Sequence, residues 1–184
     1  MNNRDVASAH GFYDEDIDEY WFSDDGRYPN NATWPLLIYR LALASHGGLD
    51  SAQACQALFA RNGWTNGWVN GVYPFHHYHS NTHEVLGVVQ GAADVFFGGP
   101  NGEIVHVCRG DVVIIPAGVA HKRVDASANF VVVGAYPEGR RFDLNHGTAE
   151  EHDQAVNRIR AVPSPATDPV FGSHGPLLRR WLAR

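Results

Sequence analysis

The chain has 184 residues, 44% of them hydrophobic, which is enough for one domain with a buried core and short for two. Its formal net charge is −6 with the histidines neutral, and no lysine/arginine cluster of nucleic-acid type appears (Arg140-Arg141 and Arg179-Arg180 are isolated pairs), which argues against a nucleic-acid or anionic-membrane partner. Cys55 and Cys108 are too few for a disulfide framework, and residues 1–6 lack the basic-then-apolar pattern of a secretory signal. No apolar run approaches the roughly 20 residues of a membrane span, so a cytoplasmic protein is expected.

Residues 1–33 read as an N-terminal arm. It is acidic (Asp14-Glu15-Asp16, Asp24-Asp25) yet carries Phe12, Tyr13, Tyr20, Trp21 and Phe22. Disordered tails are poor in aromatics, so the arm is expected to pack, on its own barrel or on a neighbouring subunit. A strand follows over 34–40, with Pro35 near its start, where a missing donor is tolerated. The clearest helix is 52–61, capped by Asp50 or Ser51 and ended by Asn62-Gly63, with Ala54, Leu58 and Phe59 toward the core.

Between residues 68 and 136 the pattern changes to short apolar or alternating runs at 69–73, 76–79, 84–90, 92–97, 103–108, 111–115, 121–124 and 130–135. Turn formers separate them: Gly91, the stretch 98–102, Arg109-Gly110 and Pro116-Ala117-Gly118. Closely spaced short strands without βαβ alternation point to an all-β antiparallel sandwich or jelly roll. A second helix is expected over 148–160, with acids at its start and arginines at its end to match the helix dipole. Pro163 and Pro165 stop it, and 170–184 closes the chain with a short turn around 177–182. The expected division is an arm, 1–33, a barrel domain, 34–145, that includes the helix 51–62, and a C-terminal helical extension, 146–184.

The histidines carry the chemistry. His77 and His79 are two apart, which on a strand places both imidazoles on one face, a few ångströms from each other. Glu84 follows the polar turn Ser80-Asn81-Thr82 and opens the next strand of an expected hairpin, where its carboxylate can add a hard oxygen ligand. Further on, Pro116 and Gly118 set a chain reversal that presents His121 from a remote strand, as in a metal site braced by a barrel. His76 points to the opposite face from His77 and reads as a rim residue.

These residues fall into two gapped patterns. Gly71, five residues, His77-x-His79, four residues, Glu84, six residues and Gly91 form the first; Gly110, five residues, Pro116-x-Gly118, two residues and His121 form the second. Both resemble the two motifs of the cupin superfamily. The one departure is Asp125, where the second motif usually carries asparagine, at a position outside the usual ligands. The stretches 35–40, 77–80, 83–87 and 134–139 further resemble the YjlB-like bacterial cupins, over roughly residues 34–145.

The resemblance implies a cupin jelly-roll (double-stranded β-helix) barrel with a few peripheral helices. It also implies one divalent transition metal (Fe, Mn, Ni, Co or Zn) on His77, His79, Glu84 and His121. Four protein ligands would leave one or two coordination positions open, as catalysis at a metal requires. The reaction stays open, because fold does not give chemistry. One class is a metal-dependent enzyme acting on a small molecule, with dioxygenase-like chemistry or sugar or keto-acid isomerase-like chemistry. The other is a non-catalytic small-molecule binding or sensing cupin with a structural metal. The catalytic candidates are Glu84, His83 and Arg123: His83 or an unligated Glu84 as a base, and Arg123, two residues beyond His121 on one strand face, as a holder of an anionic group. Tyr73, Phe75, Phe96, Tyr136, Trp64 and Trp68 are candidates for pocket or core, while Arg140 and Asp143 read as structural. Cupins are commonly dimers, which leaves a homodimer open.

Overall fold

The computed structural model describes residues 12–44 and 51–182. Its strands form two antiparallel sheets. The larger contains β1 (Ile17–Tyr20), β2 (Leu36–Tyr39), β3 (Trp64–Asn70), β4 (Glu84–Gln90), β7 (Val112–Ile115) and β9 (Val131–Pro137), in the order β1-β2-β7-β4-β9-β3. The smaller contains β5 (Ala92–Phe97), β6 (Glu103–Cys108) and β8 (His121–Ala126), in the order β6-β5-β8. The sheets face each other as a jelly roll. Leu36, Ile38, Leu86, Val88, Val113 and Ile115 of the larger sheet pack inward against Val95, Phe97, Val105 and Val107 of the smaller.

The two sheets bury themselves differently, and the sequence pattern follows. β5 alternates between buried and half-buried residues because its outer face meets solvent. β2 and β7 are buried at every position, since the larger sheet is covered on its outer face as well. There the helix α1 (Ala52–Arg61) lays Cys55, Leu58 and Phe59 on Val85 and Val133. The helix is capped by Ser51, whose side chain accepts from Ala54 N, and Asn62 ends it. The other expected cap, Asp50, lies outside the described residues. Gly87 of β4 gives α1 its close approach, because a Cβ there would stand 2.7 Å from Cys55 Sγ.

The chain crosses from β4 to β5, and so between sheets, at Gly91. Its φ of +71° suits glycine, and a side chain would run into Ser127. Residues 12–33 lie on the chain's own barrel. β1 pairs with β2 over Ile17↔Tyr39 to Tyr20↔Leu36, and the buried Asn30 and Asn31 donate to Gly98 O and Ala117 O. β1 has no counterpart in the sequence reading, because its acids obscure any strand pattern.

Two sequence expectations change. The strand placed at 69–73 is β3, Trp64–Asn70, and 76–79 is not a strand. Pro74 interrupts the ladder, and what remains are the bridges His77↔His121 and Tyr78↔Asn145. Glu84 therefore does not open a hairpin with 76–79; β4 pairs instead with β7 and β9.

After the barrel, α2 (Ala149–Ala161) carries a capping box of Thr148 and Glu151 and packs Ala155 and Ile159 beside Tyr28 and Tyr78. α3 (Pro176–Leu182) brings Trp181 into a stack on Trp34, with centroids 5.2 Å apart. Asp168 ties this segment down. It is fully buried and accepts from Tyr39 Oη (2.7 Å) and from the backbone N–H groups of Val170 (2.8 Å), Phe171 (3.0 Å) and Leu177 (3.1 Å). No helix among the described residues is long and apolar enough to cross a membrane.

Asp168→Ala would leave those buried donors without an acceptor, so it should lower stability by about 2–4 kcal/mol. Thermal unfolding measures the loss, and limited proteolysis should show the region from residue 163 onward cut first.

Candidate metal centre

Strand parity decides which side chains share the barrel interior. On β4, Glu84, Leu86 and Val88 face inward, while Val85 and Val89 face α1. On β9, Val132 faces inward and Val133 faces α1, which puts Tyr136 on the same side as Glu84. On β8, His121 stands opposite the inward Phe97.

His77 joins them through its bridge to His121, with backbone bonds of 3.2 and 2.9 Å in the two directions and ring centroids 4.1 Å apart. His79 is held from the other motif, because Gly118 N donates to its carbonyl at 2.8 Å. Gly118 has a φ of +92°, and a side chain there would collide with the Asn30 carbonyl, so the turn requires glycine.

The imidazoles are oriented by their backbone. His77 Nδ1 lies 3.1 Å from Phe75 O, His79 Nδ1 2.5 Å from Asp143 O and His121 Nδ1 3.2 Å from Val119 O. Each Nδ1–H donates to a carbonyl, which leaves each Nε2 with a free lone pair, the arrangement usual for metal-binding histidine. One ligand atom from each of the three rings falls within 4.8 Å of the others, and every ring is buried.

Glu84 stands beside two of these rings. Its Oε1 accepts from Tyr136 Oη at 2.9 Å, and Tyr136 Oη in turn accepts from Trp68 Nε1 at 2.8 Å. Its Oε2 is buried and accepts no hydrogen bond, although it lies 3.3 Å from His121 Nε2 and 3.5 Å from His79 Nε2. An orphaned carboxylate oxygen beside the Nε2 atoms of His79 and His121, next to a group of three histidines that does not itself take in Glu84, is a donor set that fits a divalent cation.

The charges agree. Burial opposes ionisation of Glu84, but His79 and His121 outweigh it and hold the carboxyl well below its usual range. Burial also opposes charge on His79, and there the Glu84 carboxylate wins and raises the pKa. On His77 the Glu84 carboxylate acts only weakly; burial and then His121 push it down to about 2, so it stays neutral.

The cluster forms one wall of a cavity of about 390 Å³, also lined by Trp68, Tyr73, Leu86, Tyr136 and Phe142. Arg123 stands opposite the inward Val95, with its guanidinium beside Gly71 on the cavity rim. His83 is directed elsewhere. It is buried between Trp34 and Trp181, its Nε2 reaches Pro163 O (3.2 Å) and its Nδ1 accepts from Ala117 N (2.9 Å). Burial pushes it down to about 3, and with both nitrogens engaged it braces the 116–118 turn instead of facing the cavity.

Among the sequence-predicted aromatics, Tyr73, Trp68 and Tyr136 line the cavity, and Phe75 stacks on Tyr73. Trp64 is buried with the outer-face core, and Phe96 lies 5.2 Å from His76 on the far side of the small sheet. Phe142 was not anticipated. It lies 4.7 Å from His79 in a segment without strand pattern, and only the neighbouring Asp143, whose carboxylate accepts from Ser80 N at 2.6 Å, explains its placement.

Gly134 of β9 leaves the space in which the Trp68 indole lies, and a Cβ there would overlap the ring. Gly134→Ala should therefore displace Trp68 and break its bond to Tyr136. The expected result is a tryptophan emission spectrum shifted from that of the wild type, measured on folded protein; an unchanged spectrum would mean that the indole keeps its place.

Comparison with known proteins agrees with this architecture. Residues 68–139 match the cupin family profile. The chain is 43% identical over 163 residues to the uncharacterized protein YjlB of Bacillus subtilis, covering 89% of this chain and 95% of YjlB. Among solved structures, the WlaRB TDP-quinovose 3,4-ketoisomerase of Campylobacter jejuni is 16% identical, with a TM-score of 0.40 over 50% of this chain and 75% of its own. The acireductone dioxygenase of Bacillus anthracis is 19% identical, with a TM-score of 0.36 over 55% of this chain and 65% of its own. On the strength of the two sequence matches, the chain belongs to the cupins, in the group of Bacillus subtilis YjlB.

Proposed function

We propose that the chain holds one divalent transition metal on His77, His79, Glu84 and His121 and acts as a metal-dependent enzyme on a small molecule in the adjoining cavity. The observation that carries this reading is the buried Glu84 Oε2, without a hydrogen bond, facing Nε2 atoms whose rings are already fixed through Nδ1. Such a metal supplies Lewis acidity and, if it is iron, redox chemistry with oxygen. The protein contributes the rest. Tyr136 holds Glu84 in position, the carbonyls of Phe75, Val119 and Asp143 fix the rings, and the cavity admits a ligand beside them.

Oxygen chemistry is favoured over isomerisation. Proton transfer along a carbon skeleton needs a free base, and among the described residues that line the cavity the carboxylate and imidazoles are the four proposed ligands, while Tyr136 is engaged with Glu84 and Trp68 and Tyr73 is the remaining ionisable group. His83, a candidate base by sequence, has both nitrogens engaged away from the cavity.

Elemental analysis of protein purified without added metal tests the site. His77→Ala and His121→Ala should each lose most of the bound metal, and full retention by both would overturn the assignment. Oxygen uptake by iron-loaded protein with small aromatic and organic acids tests the reaction class; its absence with every such acid would favour the non-catalytic binding role.

Metal and proton also compete for the same Nε2. The raised pKa of His79 means that its proton is held at a higher pH than on an ordinary imidazole, and metal entry must displace it. Apparent metal affinity should fall as pH drops through that value, by about tenfold per unit below it. A chelator titration between pH 8 and 5 (on the order of three pH units, wide enough to span an imidazole) checks this, and a flat profile would count against His79 as a ligand.

A further inference from the structure

Tyr73 and Phe142 line the cavity, Phe75 stacks on Tyr73 beside it, and all three rings remain open to solvent. Tyr73 is 47% exposed, Phe142 40% and Phe75 39%. Large apolar side chains gathered around one opening mark a binding surface, whereas scattered ones need no explanation. Here they form two walls. Phe75 stacks on Tyr73 with centroids 4.9 Å apart and planes 16° from parallel, and both rings stand edge-on to His77. Phe142 lies over His79 and stacks on Tyr136, with centroids 5.1 Å apart and planes 27° from parallel. The walls thus flank the imidazole cluster on its His77 and His79 sides.

A cation adjoins the cavity next to Gly71. Arg123 is half-buried on β8, two residues beyond His121 and opposite the inward Val95, so its side chain leaves the strand on the cavity side. Its backbone N donates to Tyr73 O at 2.9 Å, which joins its strand to the segment that carries the first aromatic wall. Gly71, which lines the cavity, has no side chain to cover the guanidinium; a Cβ there would sit 3.8 Å from the terminal nitrogen. Among the described residues no carboxylate pairs with this guanidinium. A half-buried, inward-facing arginine without a counter-ion is suited to recognising an anion by paired hydrogen bonds.

We propose that the site takes a single-ring aromatic carboxylate: the ring between the Tyr73–Phe75 and Phe142 walls, the carboxylate on Arg123, and a polar substituent directed at the imidazole cluster. The inference rests on the cavity reading given under the proposed function and adds the chemical class of the ligand. A cavity of about 390 Å³ has room for such a molecule.

Isothermal titration with 4-hydroxybenzoate, phenol and acetate, into both metal-free and cobalt-loaded protein, tests the proposal. 4-Hydroxybenzoate should bind at least tenfold more tightly than phenol, which lacks the anion, or acetate, which lacks the ring. Arg123→Gln should weaken 4-hydroxybenzoate about tenfold or more and leave phenol unchanged. Phe142→Ala should weaken both ring compounds and leave acetate unchanged. Arg123→Met, which keeps the aliphatic stem, serves as a second variant, and matching unfolding temperatures verify that each protein is folded. Equal binding of 4-hydroxybenzoate by wild type and both Arg123 variants would overturn the proposal, as would acetate binding as tightly as 4-hydroxybenzoate, or no binding of any ring compound. Failure of cobalt to bind would instead sink the metal reading, and the Arg123 dependence would still be read from the metal-free titrations.

Discussion

A carboxylate without water around it must be held by its neighbours, and Glu84 is where this protein meets that requirement. It starts β4, which lies between β7 and β9 in the larger sheet. One of its oxygens is reached from β9 and β3 through Tyr136 and Trp68. The other faces His79 from the 71–83 segment and His121 from the smaller sheet. A single buried charge therefore joins both sheets and the loop between them. Loss of any partner would leave a charge or a donor unsatisfied in a low-dielectric interior.

The fold is arranged so that this charge is dry on one side and accessible on the other. Covering the outer face of the larger sheet with α1 and the C-terminal segment leaves β2 and β7 buried at every position. The inner face is sealed by the smaller sheet over most of its length, and the barrel opens beside β3. β3 is an edge strand with a bulge between Thr65 and Trp68, and Asn66 within it has a φ of 56°. That irregularity lets Trp64 serve the outer core while Trp68 turns into the cavity and reaches Tyr136.

Much of this was readable from local pattern. Apolar or alternating runs and turn formers located β4 through β9 to within a few residues, because half-buried strands such as β5 leave a period of two and doubly covered strands such as β7 leave a continuous apolar run. The 52–61 helix was legible from its cap and its glycine stop. Where the pattern was misread, tertiary forces decided. β1 is acidic and holds its place by pairing with β2. The 76–79 segment alternates like a strand but follows Pro74, so it is pinned by two isolated bridges. His83 looked like a cavity residue only because it adjoins Glu84; parity and the Trp34–Trp181 stack turn it to the other side.

The sequence by itself determined the chemistry available: three histidines and a glutamate at spacings that a barrel can bring together, with Gly118 and Pro116 marking the turn that presents the last of them. Those are properties of neighbouring residues, and short-range stereochemistry settles them. Only the tertiary structure decided how the donors are aimed. The carbonyl that orients His79 belongs to Asp143, the indole that steadies Tyr136 belongs to Trp68, and the ring over His79 belongs to Phe142. These partners lie more than sixty residues away in the chain for the first two contacts, at separations of 64 and 68. Hydrogen-bond direction and ring stacking depend on positions in space, and no period along the chain records them.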